Sequence, residues 1–544
     1  MKAEKKNHFL VYFCGIAVFS LLLVSYYMTY HKQVVEGITV VSNVGNVSEK
    51  VEEPEISIDD NDLYGNAKSL YEFRFPKIAE DKAKKEAVKE AFLHAYKGYS
   101  KYCWGSDELL SVSGRCSNQL NAGLTIVDSL STLWVMGLKE EFEKARKFIK
   151  DDFKPNGSWS VFEFVIRFLG GFLSAYQLSG DKLFLDKAIE AGEVVYHLTD
   201  KNSGFFPSGI RLSTVDGKLK GYGSGGASCL AEVGTFQLEF MTLSAVTGDP
   251  KYIDVAMRVY DTIWKRNPNA AIISSHYSSG ASFGGDNTHL GAGTDSYYEY
   301  IIKAYVLSNG ISPVMLSRHK LMMREIKETM LFRSIHKNLT GLGIRRGNYV
   351  DPMMEHLATF VGGMIAVGAV KGNEKYLEDL QLADSLVTTY HESYVQFPSG
   401  VAPDRVRFNV DNKNNPEDMS VEDSVYLLRP ESVESNYVMW KFTGLNKYRE
   451  FAWDMFKGMN NSCRTEYGFS TLRDVNRPKS FNDKQESFFL AETLKYLYLS
   501  FEDSSVISPE EWVFNTEAHP LRIWNKKTAE KFRKYLEFRG VKTH

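Results

Sequence analysis

The chain has 544 residues, 65 Lys and Arg against 68 Asp and Glu for a net charge of −3, 43% hydrophobic residues, 13% aromatic residues and five Cys. Without a basic excess to neutralise a polyanion, nucleic-acid binding is disfavoured as the main activity, and the apolar content and scarce cysteines exclude a disordered, collagen-like or disulfide-scaffold chain. Length alone suggests about three domains, and the 34 Phe and 30 Tyr can fill a large core or line a sugar-binding cleft.

Residues 1–8 carry Lys2, Lys5 and Lys6, and Phe9 to Met28 then runs 20 residues without a charge, about the length at which a helix crosses a bilayer. Positive charge before the span predicts a cytosolic tail, a signal anchor over 9–28 and a lumenal remainder. A cleaved signal peptide is the alternative, but the run is long for one and no small-x-small site follows. Residues 29–75 are polar and acidic without periodicity, which suits a stem. Sequons at Asn46, Asn156, Asn338 and Asn460 agree with a lumenal location. Cys14 falls in the apolar span. Cys103 and Cys116 are close enough in sequence to close a short loop, and they are the predicted disulfide. No Cys-x-x-Cys or His-rich spacing suggests zinc.

Over 76–544 the chain reads as helices, with apolar residues recurring at three and four, and strand signals are sparse. A turn recurs as LSGDKLF at Gly180, VTGDPKY at Gly248, VKGNEKY at Gly372 and FTGLNKY at Gly444, with a weaker member, LSNGIS, at Gly310. Glycine ends a helix in the left-handed conformation, and the polar residues after it start the next. The spacings are 68, 62, 62 and 72 residues. One helix pair per period predicts a closed toroid of helical hairpins rather than an open solenoid, which would need capping repeats.

An acidic residue recurs 13 to 17 positions before each turn glycine: Glu163, Glu232, Asp295, Glu355 and Glu431. If the first helices of the pairs form the inner wall and run the same way, these carboxylates converge at one end of the ring, beside helix N-termini that favour their ionised form. Each taken singly reads as a first-turn acid. Five in register, among aromatic neighbours such as WSVFEFVIRFLGG and LLRPESVESNYVMW, suit glycoside chemistry, in which one carboxylic acid protonates the leaving oxygen and another activates water. Arg167, one turn after Glu163, is placed to orient it.

Over residues 85–525 the chain resembles the class I α-1,2-mannosidases, glycoside hydrolase family 47, through GLTIVDSLSTLWVMGLKEEF, SVFEFVIRFLGGFLSAYQLSGD, DSYYEYIIKAY, MEHLATFVGG, RPESVES, ESFFLAETLKYLYL and VFNTEAHPL. The resemblance implies an all-α (α/α)7 barrel that trims α-1,2-linked mannose from high-mannose N-glycans in the ER or Golgi, with Ca²⁺ and inversion of the anomeric centre. It implies a single-pass type II membrane protein whose partner is the glycan, and no obligate protein partner is evident. By this resemblance Glu163 is the general acid, acting through a water, Glu431 is the base, and Asp295 is the other core carboxylate. Thr516 is the direct Ca²⁺ ligand, water and substrate hydroxyls supplying the rest. Arg167, Glu299, His356, Pro430, Glu434, Phe488, Glu492 and Glu517 match pocket positions around the terminal mannose and the metal's water shell. Read without the resemblance, Thr516 is a helix cap and His356 a core histidine.

Three positions depart from the family pattern. Asp404, in GVAPDRV, stands where Glu is usual and is counted as a catalytic position one methylene short. Gly293 replaces the Arg of single-mannose ER enzymes, which is expected to open the cleft and relax branch selectivity. Thr359 and Thr389 stand where the family commonly has a disulfide. The shortened Asp404 supports a second expectation, a weakly active or inactive mannose-binding quality-control protein of the same fold.

Overall fold

Fourteen helices of the computed structural model alternate between two layers. In chain order they are α1 (Lys82–Tyr102), α2 (Leu124–Val135), α3 (Lys139–Asp151), α4 (Val161–Ser179), α5 (Lys182–Leu198), α6 (Gln237–Thr247), α7 (Lys251–Arg266), α8 (Asp295–Leu307), α9 (Pro313–Thr329), α10 (Val361–Gly372), α11 (Tyr376–Val395), α12 (Glu431–Thr443), α13 (Asn446–Ser462) and α14 (Leu494–Phe501). The structure describes residues 75–540 except 227–228, 276–286 and 373–375. The expected tail, anchor and most of the stem therefore lie outside the described residues. Within them, Val161–Ser179 alone is long and apolar enough to cross a membrane, and it is a core helix, with 67% of its most apolar stretch buried.

The even-numbered helices touch in order, α2 to α4 and on to α14, and the π-helical turn Phe489–Thr493 that leads into α14 packs back on α2, closing the ring. Each odd-numbered helix packs outside an even-numbered one, α1 taking α14. Composition sorts the layers. Every residue of α2 from Leu124 to Leu133 is buried, as an inner helix requires, whereas α3 buries only Phe142, Ala145, Phe148 and Ile149, one face among Lys and Glu.

Four of the five turn glycines do what the repeat predicts, and Gly372 is the last residue of α10. Gly180, Gly248 and Gly444 are left-handed C-caps at φ 74°, 78° and 73°, and Gly310 follows α8 at φ 75°. Asp181 begins α5 by accepting from the Leu183 amide at 2.9 Å. The α2–α3 turn at Gly137, φ 68°, belongs to the same series but follows a 12-residue helix in a shorter pair, so the spacing did not reveal it.

The all-α expectation needs one correction. Small antiparallel sheets of two or three short strands join the hairpins, among them Gly157–Ser160, Gly209–Val215 and Lys218–Ser224 in one sheet, and Met353–Glu355, Arg405–Phe408 and Met419–Asp423 in another. Most strands are too short for alternation to register. The longest pair did carry a signal: Asp216 and Gly217, φ 50° and 74°, form the turn of the Gly209–Ser224 hairpin. A last hairpin, Trp512–Phe514 with Pro520–Arg522, enters the ring. Trp524, just past it, donates to the Leu307 carbonyl at the C-terminal end of α8 at 2.8 Å. Its tip reaches the other half of the ring, where Asn515 Nδ2 donates to the Ile166 carbonyl at 2.9 Å.

Cys103 and Cys116 are bonded as predicted, with Cα atoms 5.4 Å apart, fastening the end of α1 to the strand Arg115–Ser117. Closing a loop of this size stabilises by about 3 kcal/mol through the unfolded chain. The C103S/C116S double variant is expected to keep its helical circular dichroism and to unfold at lower denaturant concentration, its unfolding free energy smaller by that amount.

Candidate active site

The inner helices begin at one end of the ring, and their first residues surround a cavity of about 440 Å³. Glu163, Arg167, Glu232, Asp295, Glu299, Pro430, Glu431, Glu434, Phe488, Glu492, Thr516 and Glu517 all line it. Of the expected site residues only His356 and Asp404 stand behind the wall. Four of the five recurring acids are on it; Glu355 instead accepts from the Ala292 amide at 2.9 Å and faces Arg405 at 3.5 Å.

Local structure explains how each side chain is aimed. Ser160 caps α4, its hydroxyl accepting from the Glu163 amide at 3.4 Å. Directly after Glu163 the helix widens into a π-helical segment, Phe164–Leu169, and a second π segment, Phe489–Thr493, carries Glu492. Both such segments among the described residues lie at this cavity, where an added residue per turn re-aims side chains. Asp295 and Glu431 are the first residues of α8 and α12. Thr516 and Glu517 arrive on the tip of the inserted hairpin, where the Thr516 amide donates to the Tyr300 hydroxyl at 3.2 Å.

Arg167 organises one side. Its Nε donates to Glu163 Oε2 at 2.7 Å, and Nη1 reaches Glu517 Oε1 at 2.5 Å, Ser487 Oγ at 3.0 Å and Asp128 Oδ2 at 3.1 Å. Its guanidinium lies between the rings of Trp159 and Phe488, 5.9 and 5.8 Å from their centroids. Burial opposes ionisation of Asp128, but Arg167, His519 and Ser487 together outweigh it and hold the carboxyl below its usual range. Opposite, Glu431 Oε2 accepts from His356 Nδ1 at 2.9 Å, and His356 Nε2 in turn meets the Tyr394 hydroxyl at 2.7 Å. Asp404 Oδ1 accepts from Arg429 Nε at 3.1 Å, so this residue holds a cavity-lining arginine and does not itself face the cavity.

Between these sides the acids outnumber the cations. Glu299 and Glu434 share Lys303, the second at 3.1 Å. Burial lifts Glu434 to about 7 despite that lysine. Burial, reinforced by Glu431 and Glu299, lifts Asp295 to about 7. Glu492 is raised well above its usual range by burial and then by Glu517, Glu431 and Glu434. Carboxylates this close in a desolvated cavity resist simultaneous ionisation unless positive charge is added. Gly293, at φ +80°, also lines the cavity; a Cβ there would lie 3.3 Å from Cys229 Cβ. A side chain at 293 is thus strained in this backbone, and none narrows the cleft.

Comparison with known proteins agrees with this geometry. The glycosyl hydrolase family 47 pattern matches residues 91–523. The chain belongs to glycosyl hydrolase family 47. This glycoside hydrolase is 39% identical over 455 residues to the mannosyl-oligosaccharide 1,2-alpha-mannosidase MNS1 of Arabidopsis thaliana, covering 82% of this chain and 80% of that protein. It is 36% identical to the mannosyl-oligosaccharide 1,2-alpha-mannosidase IA of Sus scrofa, covering 83% of this chain and 70% of that one. Its structure matches the alpha-1,2-mannosidase from Trichoderma reesei with a TM-score of 0.74 at 27% identity, over 82% of this chain and all of that one.

Several residues of the family 47 site escaped the sequence reading: Asp128, Ser487, Lys303, Arg429 and Tyr394. Lys303 had a usable signal, four residues after Glu299 on one helix. Asp128 had none, because its partners Arg167, Ser487 and His519 are 39, 359 and 391 residues away.

Removing Arg167 leaves buried carboxylates unpaired, which costs about 3–5 kcal/mol; Arg167→Ala is expected to lose that much stability in a denaturant titration. Asp295, with its folded-state pKa raised, binds its proton more tightly folded than unfolded, so its contribution to stability falls as pH rises from about 4 to about 7. In chelator, Asp295→Asn is expected to raise the melting temperature relative to wild type at pH 7.5 and to change it little at pH 4.

Proposed function

We propose that this chain is an inverting, Ca²⁺-dependent α-1,2-mannosidase that trims terminal mannose from high-mannose N-glycans. The observation that carries this reading is the opposition across one cavity of Glu163, held by Arg167, and Glu431, held by His356, with Asp295 between acids that oppose its ionisation. The mannosidase names of the relatives supply the substrate.

In this reading Glu163 delivers a proton to the leaving oxygen through a water, while Arg167 fixes its carboxyl. Glu431 receives the proton of the attacking water on the opposite face of the sugar, which inverts the anomeric centre. His356 occupies Glu431 Oε2, leaving Oε1 for that proton, and Tyr394 fixes the imidazole. Glu299, Glu434, Glu492 and Glu517 offer acceptors for the hydroxyls of the terminal sugar.

Ca²⁺ fits these residues. The described residues hold no group of three or more His, Cys, Asp or Glu able to cage a metal, but Thr516 offers oxygen ligands on the cavity wall and the acids around it exceed the cations. A hard cation completed by water suits that donor set. When bound it would supply positive charge and orient sugar hydroxyls.

The Asp404 carboxylate still reaches Arg429, so its shorter side chain does not favour the mannose-binding reading over the enzyme. We also assign the chain to the ER or Golgi membrane with its ring in the lumen. The apolar run 9–28 and its preceding lysines support this, as does the disulfide.

With a nine-mannose glycan and Ca²⁺, the lumenal portion is expected to release mannose initially as the β-anomer by NMR. Glu163→Gln and Glu431→Gln are each expected to lower kcat by about 10²–10⁴, and a chelator to stop release until Ca²⁺ is restored. An intact glycan after prolonged incubation of the wild type with Ca²⁺ overturns the reading.

A further inference from the structure

Strand pairing in the inserted hairpin stops at Phe514 and Pro520, so Thr516 sits on a turn whose shape must be set by other means. Part of the answer lies inside the turn. The Asn515 amide donates to the His519 carbonyl and the Ala518 amide to the Asn515 carbonyl, both at 3.1 Å. Asn515 Oδ1 accepts from the Glu517 and His519 amides at 3.0 and 2.8 Å. Ala518 takes the left-handed conformation at φ 52°. Of the five amides from Asn515 to His519, that of Thr516 alone points outward, donating to the Tyr300 hydroxyl at 3.2 Å.

Both flanks of Thr516 converge on one oxygen. Glu239, on α6, is fully buried, and its Oε1 accepts from Asn515 Nδ2 and from the Tyr300 hydroxyl, each at 2.8 Å. Asn515 Nδ2 also donates to the Ile166 carbonyl at 2.9 Å, inside the π-helical segment that follows Glu163. The turn is thereby held among α4, α6 and α8 by Glu239, Tyr300 and Asn515, none of which lines the cavity.

Packing alone does not account for an acid at 239. Its Oε2 has no hydrogen-bond partner among the described residues, and a buried carboxyl with half its acceptors unmet is costly. What Oε1 does accounts for it: a single acceptor fixes both the residue before Thr516 and the hydroxyl that receives the Thr516 amide. Groups behind a metal ligand orient it and tune its affinity. Thr516 is the one residue that the Ca²⁺ reading takes as a direct ligand, so a displacement of this turn is not compensated by other protein ligands.

We infer that Glu239 is a positioning residue for Ca²⁺: acting through Asn515 and Tyr300, it sets the placement of Thr516 and with it the affinity of the cavity for the ion. The inference rests on the reading of Thr516 as the Ca²⁺ ligand. Glu239 lies behind the wall and is not itself a ligand.

The test is calorimetric Ca²⁺ binding to the full chain in detergent after a chelator has removed bound metal, with melting in chelator as the measure of the fold. Glu239→Met keeps the length of the side chain and removes its acceptors. Tyr300→Phe removes one hydroxyl. Glu239→Gln keeps an accepting oxygen in the place of Oε1 and puts its amide where Oε2 has no partner. Glu239→Met and Tyr300→Phe are expected to weaken Ca²⁺ binding by about 10–100-fold and to shrink the rise in melting temperature that Ca²⁺ brings, whereas Glu239→Gln is expected to bind as the parent does. Should Glu239→Met not fold, Tyr300→Phe decides. A purely structural role lowers melting in chelator and leaves the Ca²⁺ dissociation constant of both variants at the parent's value, which overturns the inference alone. Glu239→Gln binding as weakly as Glu239→Met overturns it too. A parent that takes up no Ca²⁺ overturns the reading of Thr516, and the inference with it.

Discussion

A single guanidinium holds the working end of this ring together. Arg167 leaves α4 and bonds at once to Glu163 one turn earlier, to Asp128 on α2, to Ser487 before α14 and to Glu517 on the inserted hairpin. Glu163 is local and Asp128 comes from the neighbouring inner helix, but Ser487 and Glu517 are 320 and 350 residues away and meet Arg167 only because the ring closes. A buried cation of this kind is costly without partners, so the closed ring and the ionised arginine depend on each other. The acids near it inherit that dependence: Asp128 is held below its usual range, whereas burial, reinforced by Asp128 and Glu163, pushes Glu517 up despite Arg167.

The two sides of the cavity are built on different principles. Glu163 is held by charge, in an ion pair on a π-widened helix. Glu431 is held by a hydrogen-bonded chain, His356 and then the Tyr394 hydroxyl, both buried in the wall. Two carboxylates in the same cavity thus occupy unlike surroundings.

Much of this was legible in sequence where the physics is local. Glycine turns show because only a left-handed cap ends a helix so abruptly, and Gly180, Gly248 and Gly444 recur for that reason. The Glu163–Arg167 pair shows because four residues make one helical turn, and Cys103–Cys116 because thirteen residues make a short loop. Asp128 was read as part of a resembling stretch but not as a site residue, since an acid inside LTIVDSLSTLWV has no neighbour in sequence to explain it. Thr516 entered only through the resemblance, because a threonine before Glu517 reads as a cap and nothing nearby marks a hairpin that threads a ring. The π segments and the short strands were missed because they add or occupy too few residues to change a periodicity.

The inserted hairpin bears on how the chain comes into being. Helices α2 to α12 precede Ser487, Glu492, Thr516 and Glu517, so a chain leaving the ribosome N-terminus first displays most of its inner wall while the centre of the ring is still unfilled. Until residues near 520 emerge, the apolar lining contacted by Trp512–Phe514 and Pro520–Arg522 lacks its cover, and Arg167 lacks Glu517. A chain interrupted before the hairpin holds Glu163, Asp295 and Glu431 but lacks Thr516 and the Glu517 carboxylate that Arg167 meets, so this end of the ring is assembled last.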